Sequence, residues 1–228
     1  MSGHVLDNPI WHALSTGHAS FASGNDRAKR YPNEMSPLAG IKEQSPQAYA
    51  ALGELYAPQE RAILFLEEEP RPPAGWHVLQ SFLMDQMICL EQPTEIPSGN
   101  CLETLGLEDV PEMVELAKLT VPGPFCRRTI EFGGYIGIRE AGRLAAMTGQ
   151  RTHPTGFIEV SAVCTHPDFR GRGFAKILVS AVARSIYARG ETPFLGVKQD
   201  NLKARRAYQS VGFSIRRALY VAVLKRSL

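Results

Sequence analysis

Cysteine is scarce in this chain, and that scarcity is informative. The 228 residues hold only Cys89, Cys101, Cys126 and Cys164, with no two at a metal-ligand spacing. A zinc ribbon or finger is therefore excluded, and no metal site is expected. His4, His12 and His18 show no metal spacing either. No run of eighteen apolar residues occurs, so no membrane span is expected. No basic segment followed by an apolar core stands at the N-terminus, so no secretory signal is read. The cysteines are then expected to be reduced, which fits a cytoplasmic protein. Neither a Gly-Lys-Ser/Thr phosphate loop nor a G-x-G-x-x-G fingerprint is present, since position 176 is Lys. What remains is ordinary: 44% apolar and 21% charged residues, as in a soluble globular protein of one domain or two small ones.

The net charge is only +2, but it hides an asymmetry. Residues 1–100 hold 6 Lys/Arg against 12 Asp/Glu, and the remainder holds 19 against 11. Residues 170–217 carry 11 basic and 2 acidic side chains. A basic lobe can bind nucleic acid. Without a zinc motif, polybasic tail or aromatic-rich binding strand, a phosphate-rich small ligand explains the concentration better.

The basic region centres on Arg170-Gly171-Arg172-Gly173-Phe174-Ala175. An apolar strand-like run, Phe157 to Cys164, precedes it. A helix-like run, Phe174 to Arg189, follows, with Phe174, Ile177, Leu178, Ala181, Val182 and Ile186 at helical spacing. A glycine turn opening a helix presents unpaired backbone N–H groups and the positive end of the helix dipole, which suits an anion such as pyrophosphate. Gly171 and Gly173 permit backbone angles and close approach that side chains would block. Pro193 to Lys198 reads as a further strand. A second helix starts at Asn201, with an apolar stripe of Leu202, Ala204, Ala207, Tyr208 and Val211, and ends at Gly212-Phe213.

Arg170, Gly173 and Ala175 match Arg/Gln-x-x-Gly-x-Gly/Ala. About thirty residues on, Asn201 heads a helix carrying Ala204, Tyr208 and Gly212-Phe213. With both patterns in this order, the stretch 101–228 resembles the GNAT superfamily of acetyl-coenzyme A-dependent N-acetyltransferases. The resemblance implies that the turn from Arg170 through Gly171, Arg172, Gly173 and Phe174 to Ala175 holds the coenzyme A pyrophosphate. It implies that the end of a bulged strand, Val163, Cys164 and Thr165, pairs with the pantetheine arm and acetyl carbonyl, and that Asn201 bonds a pantetheine amide. Tyr208 becomes the acid that protonates the departing thiolate. Glu159, fourteen residues before Gly173, becomes the base that deprotonates the amine.

Plainer readings stand beside these. Glu159 could be a strand carboxylate facing solvent or paired with an arginine such as Arg139, leaving deprotonation to water. Tyr208 could pack the helix stripe, and Asn201 could be only a cap. Cys164 beside His166 could suggest a nucleophile and base, but neighbours on an extended strand usually point apart, and a buried structural thiol is expected.

The expected fold is α/β (α+β): a mixed, mostly antiparallel central sheet with flanking helices, preceded by a smaller α/β lobe. Turn-forming residues from Pro93 to Gly99 place the boundary. Residues 1–98 would form the N-terminal lobe, a degenerate partial copy of the same fold, and 99–228 the acetyltransferase-like domain. In the first lobe a helix is expected over Ser45 to Ala57 and a strand over Arg61 to Leu66, with one or two strands in Trp76 to Leu90. In the second, a helix is expected over Glu108 to Leu119 and a hairpin from Tyr135–Glu140 and Arg143–Met147. The functional expectation is acetyl transfer from acetyl-coenzyme A to a small-molecule or peptide amine by direct attack in a ternary complex. No nucleic-acid or membrane partner is expected, and a homodimer is left open. The alternative is a coenzyme A-binding regulator without turnover.

Overall fold

The computed structural model describes residues 3–97, 99 and 101–227. The expected boundary between 98 and 99 falls on Ser98, which lies outside the described residues. The described chain divides into two compact units: 1–85 with 152–155 and 217–228, and 86–151 with 156–216.

In the first unit, α1 (Pro9–Ser15) carries Pro at its first position, where the missing N–H costs nothing. Three short strands, β1 (Ser23–Gly24), β2 (Ala28–Arg30) and β3 (Ala39–Ile41), form an antiparallel sheet in that order. Helix α2 (Pro46–Glu54) starts as the sequence indicates, with the Ser45 hydroxyl accepting from the Ala48 N–H. Strand β4 (Arg61–Leu66) has the expected bounds. Tyr49, Leu52, Leu64, Trp76 and Leu224 share one buried core. Strand β5 is a single strand (Trp76–Ile88) that runs from the first unit into the second.

The second unit continues with β6 (Glu103–Thr104), α3 (Val110–Thr120), β7 (Ile136–Glu140), β8 (Arg143–Gln150), β9 (Phe157–Thr165), α4 (Phe174–Tyr187), β10 (Thr192–Lys198) and α5 (Leu202–Gln209). Strand β11 (Ser214–Arg226) leaves this unit and ends in the first, where Tyr220–Lys225 pairs antiparallel with β4. Within the second unit the sheet order is β5-β10-β9-β8-β7-β6. The β6-β7, β7-β8 and β8-β9 pairs are antiparallel, and β10-β9 is parallel. This is the expected mixed, mostly antiparallel sheet with flanking helices. No helix among the described residues is long and apolar enough to cross a membrane.

Two apolar layers flank the second unit's sheet. Ile158, Val160, Val179, Val182 and Ile186 pack α4 against it. Met113, Leu116, Ala117, Ala162 and Cys164 belong to the layer under α3. The buried Ser180 hydroxyl donates to the Thr94 carbonyl and accepts from the Ile96 N–H, fixing that segment onto α4.

Candidate functional site

The site is created by a break in the alternation of β9. Gly149 and Gln150 of β8 face Ser161 and Val160, but Met147 and Ala146 face Cys164 and Thr165. Two steps along β8 therefore span three along β9, which is a β-bulge. Ala162 sits at the bulge with φ +53°, a left-handed angle that costs a non-glycine residue about 1–3 kcal/mol and is held by its surroundings. The displaced Ser161 carbonyl accepts from the Thr148 hydroxyl at 2.8 Å, so the lost ladder bond is replaced.

One extra residue reverses which side chains face which layer. Before the bulge, Ile158 and Val160 pack in the α4 layer. After it, Val163 packs there, while Ala162 and Cys164 join the α3 layer. The strands also part. The β10 register on β9 runs from Thr192↔Phe157 to Phe194↔Glu159, whereas β9 continues to Thr165. The end of β9, paired with β8 but beyond its register with β10, lines a cavity of about 910 Å³.

Most of the expected cofactor residues meet in that cavity. Val163 and Thr165 line it, as do Arg170, Gly171, Gly173, Phe174, Ala175, Asn201 and Tyr208. Gly171 and Gly173 have φ +86° and +80°, which explains the glycines. A Cβ at either would meet nothing within 4 Å, so the space beside the turn is open. Gly173 is the N-cap of α4 and supplies no capping side chain, so the first N–H groups of this 14-residue helix are left for a ligand. Asn201 caps α5: its amide oxygen accepts from the Ala204 N–H at 3.1 Å, which leaves the NH2 group as a donor beside the cavity. Burial pushes the Tyr208 hydroxyl up to about 12, so it stays protonated. Tyr208 is 8% exposed and packs edge-on against Phe213 at 6.5 Å.

Three expected residues stand elsewhere. Arg172 turns from the cavity wall to Glu140, at 3.7 Å, and lies 5.2 Å from the centre of the Phe169 ring. Cys164 is buried in the α3 layer, and burial pushes its thiol up to about 12, the opposite of nucleophile activation. Its neighbour His166 is engaged otherwise: Nδ1 accepts from the Asp168 N–H, and Nε2 lies 3.0 Å from Arg143. Glu159 is 1% exposed and does not line the cavity. Its two carboxylate oxygens accept from Arg151, at 2.9 Å from Nε and 2.5 Å from Nη2. Its carbonyl also accepts from the Arg151 N–H. Arg139, the arginine considered in the sequence, instead binds Glu103, Asp109 and Glu112.

Phe169, Lys176, Lys203 and Arg206 also line the cavity, beyond the expected site residues. The last two carried a readable signal: three positions apart on a helix, they share a side.

A model of the FR47-like protein family matches residues 135–222, which contain β9, the turn and α5. No curated protein matches the chain significantly. Among solved structures, one from Novosphingobium aromaticivorans, described as a GNAT-family acetyltransferase, is 35% identical with a TM-score of 0.92, over 99% of this chain and all of that one. A GCN5-related N-acetyltransferase from Kribbella flavida shares the fold at 15% identity, with a TM-score of 0.64 over 95% of this chain and 94% of its own. A GNAT-family acetyltransferase from Colwellia psychrerythraea does so at 14% identity and a TM-score of 0.54, over 97% and 90%. A whole-length match at that first identity, together with the bulged strand, glycine turn and tyrosine helix around one cavity, establishes that this chain belongs to the GNAT family of N-acetyltransferases.

Proposed function

We propose that this protein uses acetyl-coenzyme A to acetylate the amine of a small molecule or peptide, with both reactants bound at once. The observation that carries this reading is that the glycine turn, the open end of β9 and Tyr208 line one cavity. The residues suit the cofactor: open space beside two positive-φ glycines, a free helix start, and no Asp or Glu in the wall. When bound, acetyl-coenzyme A supplies an acyl group activated as a thioester.

In this reading the N–H groups from Gly171 to Ala175 and the charge of Arg170 bind the pyrophosphate. The backbone of Val163 and Thr165, freed from β10, orients the pantetheine arm, and the Asn201 amide donates to it. Cys164 contributes backbone only. Arg172 contributes long-range charge while stacked near Phe169. Tyr208 holds a proton at its hydroxyl oxygen and gives it to the leaving thiolate. A phenol pushed up to about 12 remains a donor at neutral pH. Glu159 points into the opposite layer and is engaged by Arg151, so we assign removal of the amine proton to water and give Glu159 the task of holding Arg151.

The test is release of coenzyme A thiol in the presence of a panel of amines. Amine-dependent release that falls in Tyr208→Phe supports the reading. Cofactor binding without turnover on any amine would make the protein a coenzyme A-binding regulator instead.

A further inference from the structure

The first unit holds a second cavity, of about 580 Å³, whose lining residues all come from that unit. It shares no residue with the cavity at the glycine turn. Three segments build it: residues 3–12, the end of β3 and the end of β4. Ile41, Phe65 and Leu66 are buried and give it apolar surface. Trp11 adds a half-buried ring, and the Lys29 ammonium lies 5.3 Å from the centre of that ring. One cation therefore already rests against this aromatic side chain. Side chains tie the three segments together. The Asn8 amide donates to the Ile41 carbonyl at 2.7 Å. The Gln44 amide donates to the Glu68 and Glu69 carbonyls at 3.3 and 3.1 Å, and its oxygen accepts from the Tyr49 hydroxyl at 2.8 Å. The wall is held in shape before a ligand arrives, which lowers the ordering cost of binding.

Charge on this wall is one-sided. Asp7, Glu43, Glu67 and Glu68 line the cavity against a single Lys or Arg, Lys42. Burial lowers the His12 pKa, against an opposing pull from Asp7, so that ring is uncharged at neutral pH and does not offset the carboxylates. Asp7 and Glu67 already hold a guanidinium: each accepts from Arg217 Nη1 at 2.7 Å. Glu43 and Glu68 form no ion pair among the described residues. Two carboxylates of the wall thus show which cation it accepts, and two more are left to take another. A guanidinium is planar, so its edge can meet a carboxylate while its face lies on an aromatic ring. The apolar surface suits the aliphatic stem that carries it.

We propose that this cavity is a second ligand site, which binds the guanidinium and aliphatic stem of an arginine. Glu43 and Glu68 supply the carboxylates, and Trp11 supplies the surface on which the guanidinium stacks. The site does not depend on the coenzyme A reading, because no residue is common to the two cavities. It is also distinct from the site of an acceptor amine, since a guanidinium with its α-amine blocked has no amine to acetylate and is still a ligand here.

Calorimetric titration of the full chain with Nα-acetyl-arginine amide, and with the neutral isostere Nα-acetyl-citrulline amide, tests it. The arginine compound should bind with a Kd of about 0.1–1 mM, and the citrulline compound about tenfold more weakly, the size expected of two solvent-facing charge contacts. Glu43→Gln and Glu68→Gln should each weaken the arginine compound, and the double variant should bring the two ligands close to equal affinity. Trp11→Leu should weaken the arginine compound by about fivefold. Glu54→Gln removes an exposed carboxylate of the same unit that does not line the cavity, and should leave binding unchanged. Melting temperatures verify that the variants are folded. A blocked Ala-Arg-Ala peptide separates the two sources of the ligand: tighter binding than the single residue assigns the site to a peptide segment, and equal binding assigns it to a small guanidinium compound. Absence of binding at tens of millimolar, equal affinity for the arginine and citrulline compounds, or an arginine preference that survives the double variant overturns the site. An equal loss in Glu54→Gln overturns it in favour of a diffuse acidic field. None of these outcomes bears on the cofactor reading, which is decided by coenzyme A titration.

Discussion

Replacing Glu159 with Gln separates a structural carboxylate from a catalytic base. The two partners are almost enclosed, with side-chain exposures of 2% for Glu159 and 11% for Arg151. Both carboxylate oxygens accept from the guanidinium. Gln keeps the shape but places an amide NH2 against one of those N–H donors and removes the carboxylate charge that faces the buried Arg151 guanidinium. Breaking a buried pair from one side costs about 3–5 kcal/mol, and Gln, which retains one acceptor, belongs near the low end. For a chain of this size each kcal/mol moves the melting temperature by about 2–4 °C, so a fall of about 6–12 °C is expected. Arg151→Met in the same chain should recover part of it, because a neutral pair no longer sets a buried charge against a neutral amide. Turnover measured well below the lowered melting temperature should keep the rising limb of its pH profile. The assays are thermal denaturation of both variants and a pH series of initial rates. An unchanged melting temperature together with loss of that limb would refute the structural assignment and make Glu159 the base.

Tyr208→Phe should lower kcat about a hundredfold with cofactor affinity nearly unchanged, measured by steady-state kinetics and calorimetry; equal losses in both would assign Tyr208 to packing. Burial pushes Tyr49, Tyr56 and Tyr208 each up to about 12. A raised folded pKa means the folded state keeps the proton longer, so stability present below about pH 10 should be lost as the pH rises to about 12, and denaturant titrations across that window should show it. His18 is shifted the other way: burial first, then the neighbouring His153, depress it to about 3. Its contribution is present above about pH 6.5 and should be lost as pH falls toward about 3, and His18→Phe should make the acid limb of the stability curve shallower.

The elements that position the site were legible where periodicity was uniform. Helix α4 shows its apolar spacing through Ile177, Leu178, Val182 and Ile186, and the structure starts it at the expected Phe174. Strand β4 matches its expected bounds because an apolar run there is framed by turn residues. The bulge was not legible at the residue level. Ala162 is an ordinary strand residue by type, and its left-handed angle is imposed by the pairing of β8 with β9. That single inserted residue decides the face of everything after it, and so separates Val163 and Thr165 from Glu159. The partner of Glu159 depended on the same register. Gln150 lies opposite Val160, which brings Arg151 level with Glu159, whereas spacing along the chain offered several arginines equally. The path of β11 was also hidden, because only the pairing of Tyr220–Lys225 with β4 shows that its second half belongs to the first unit. Asn201 and Tyr208 were legible as a pattern, and the cavity they share required the fold.

Binding of acetyl-coenzyme A in the cavity at the glycine turn is decided by calorimetric titration of this protein and its Gly173→Val variant. Gly173 has φ +80°, so a β-branched residue there is strained by about 1–3 kcal/mol, and its side chain enters the open space where the phosphate would lie. The account predicts saturable binding of one cofactor per chain, a raised melting temperature on addition of cofactor, and loss of both in the variant. Absence of heat and of any thermal shift at millimolar acetyl-coenzyme A, or equal binding by the Gly173→Val variant, would contradict it.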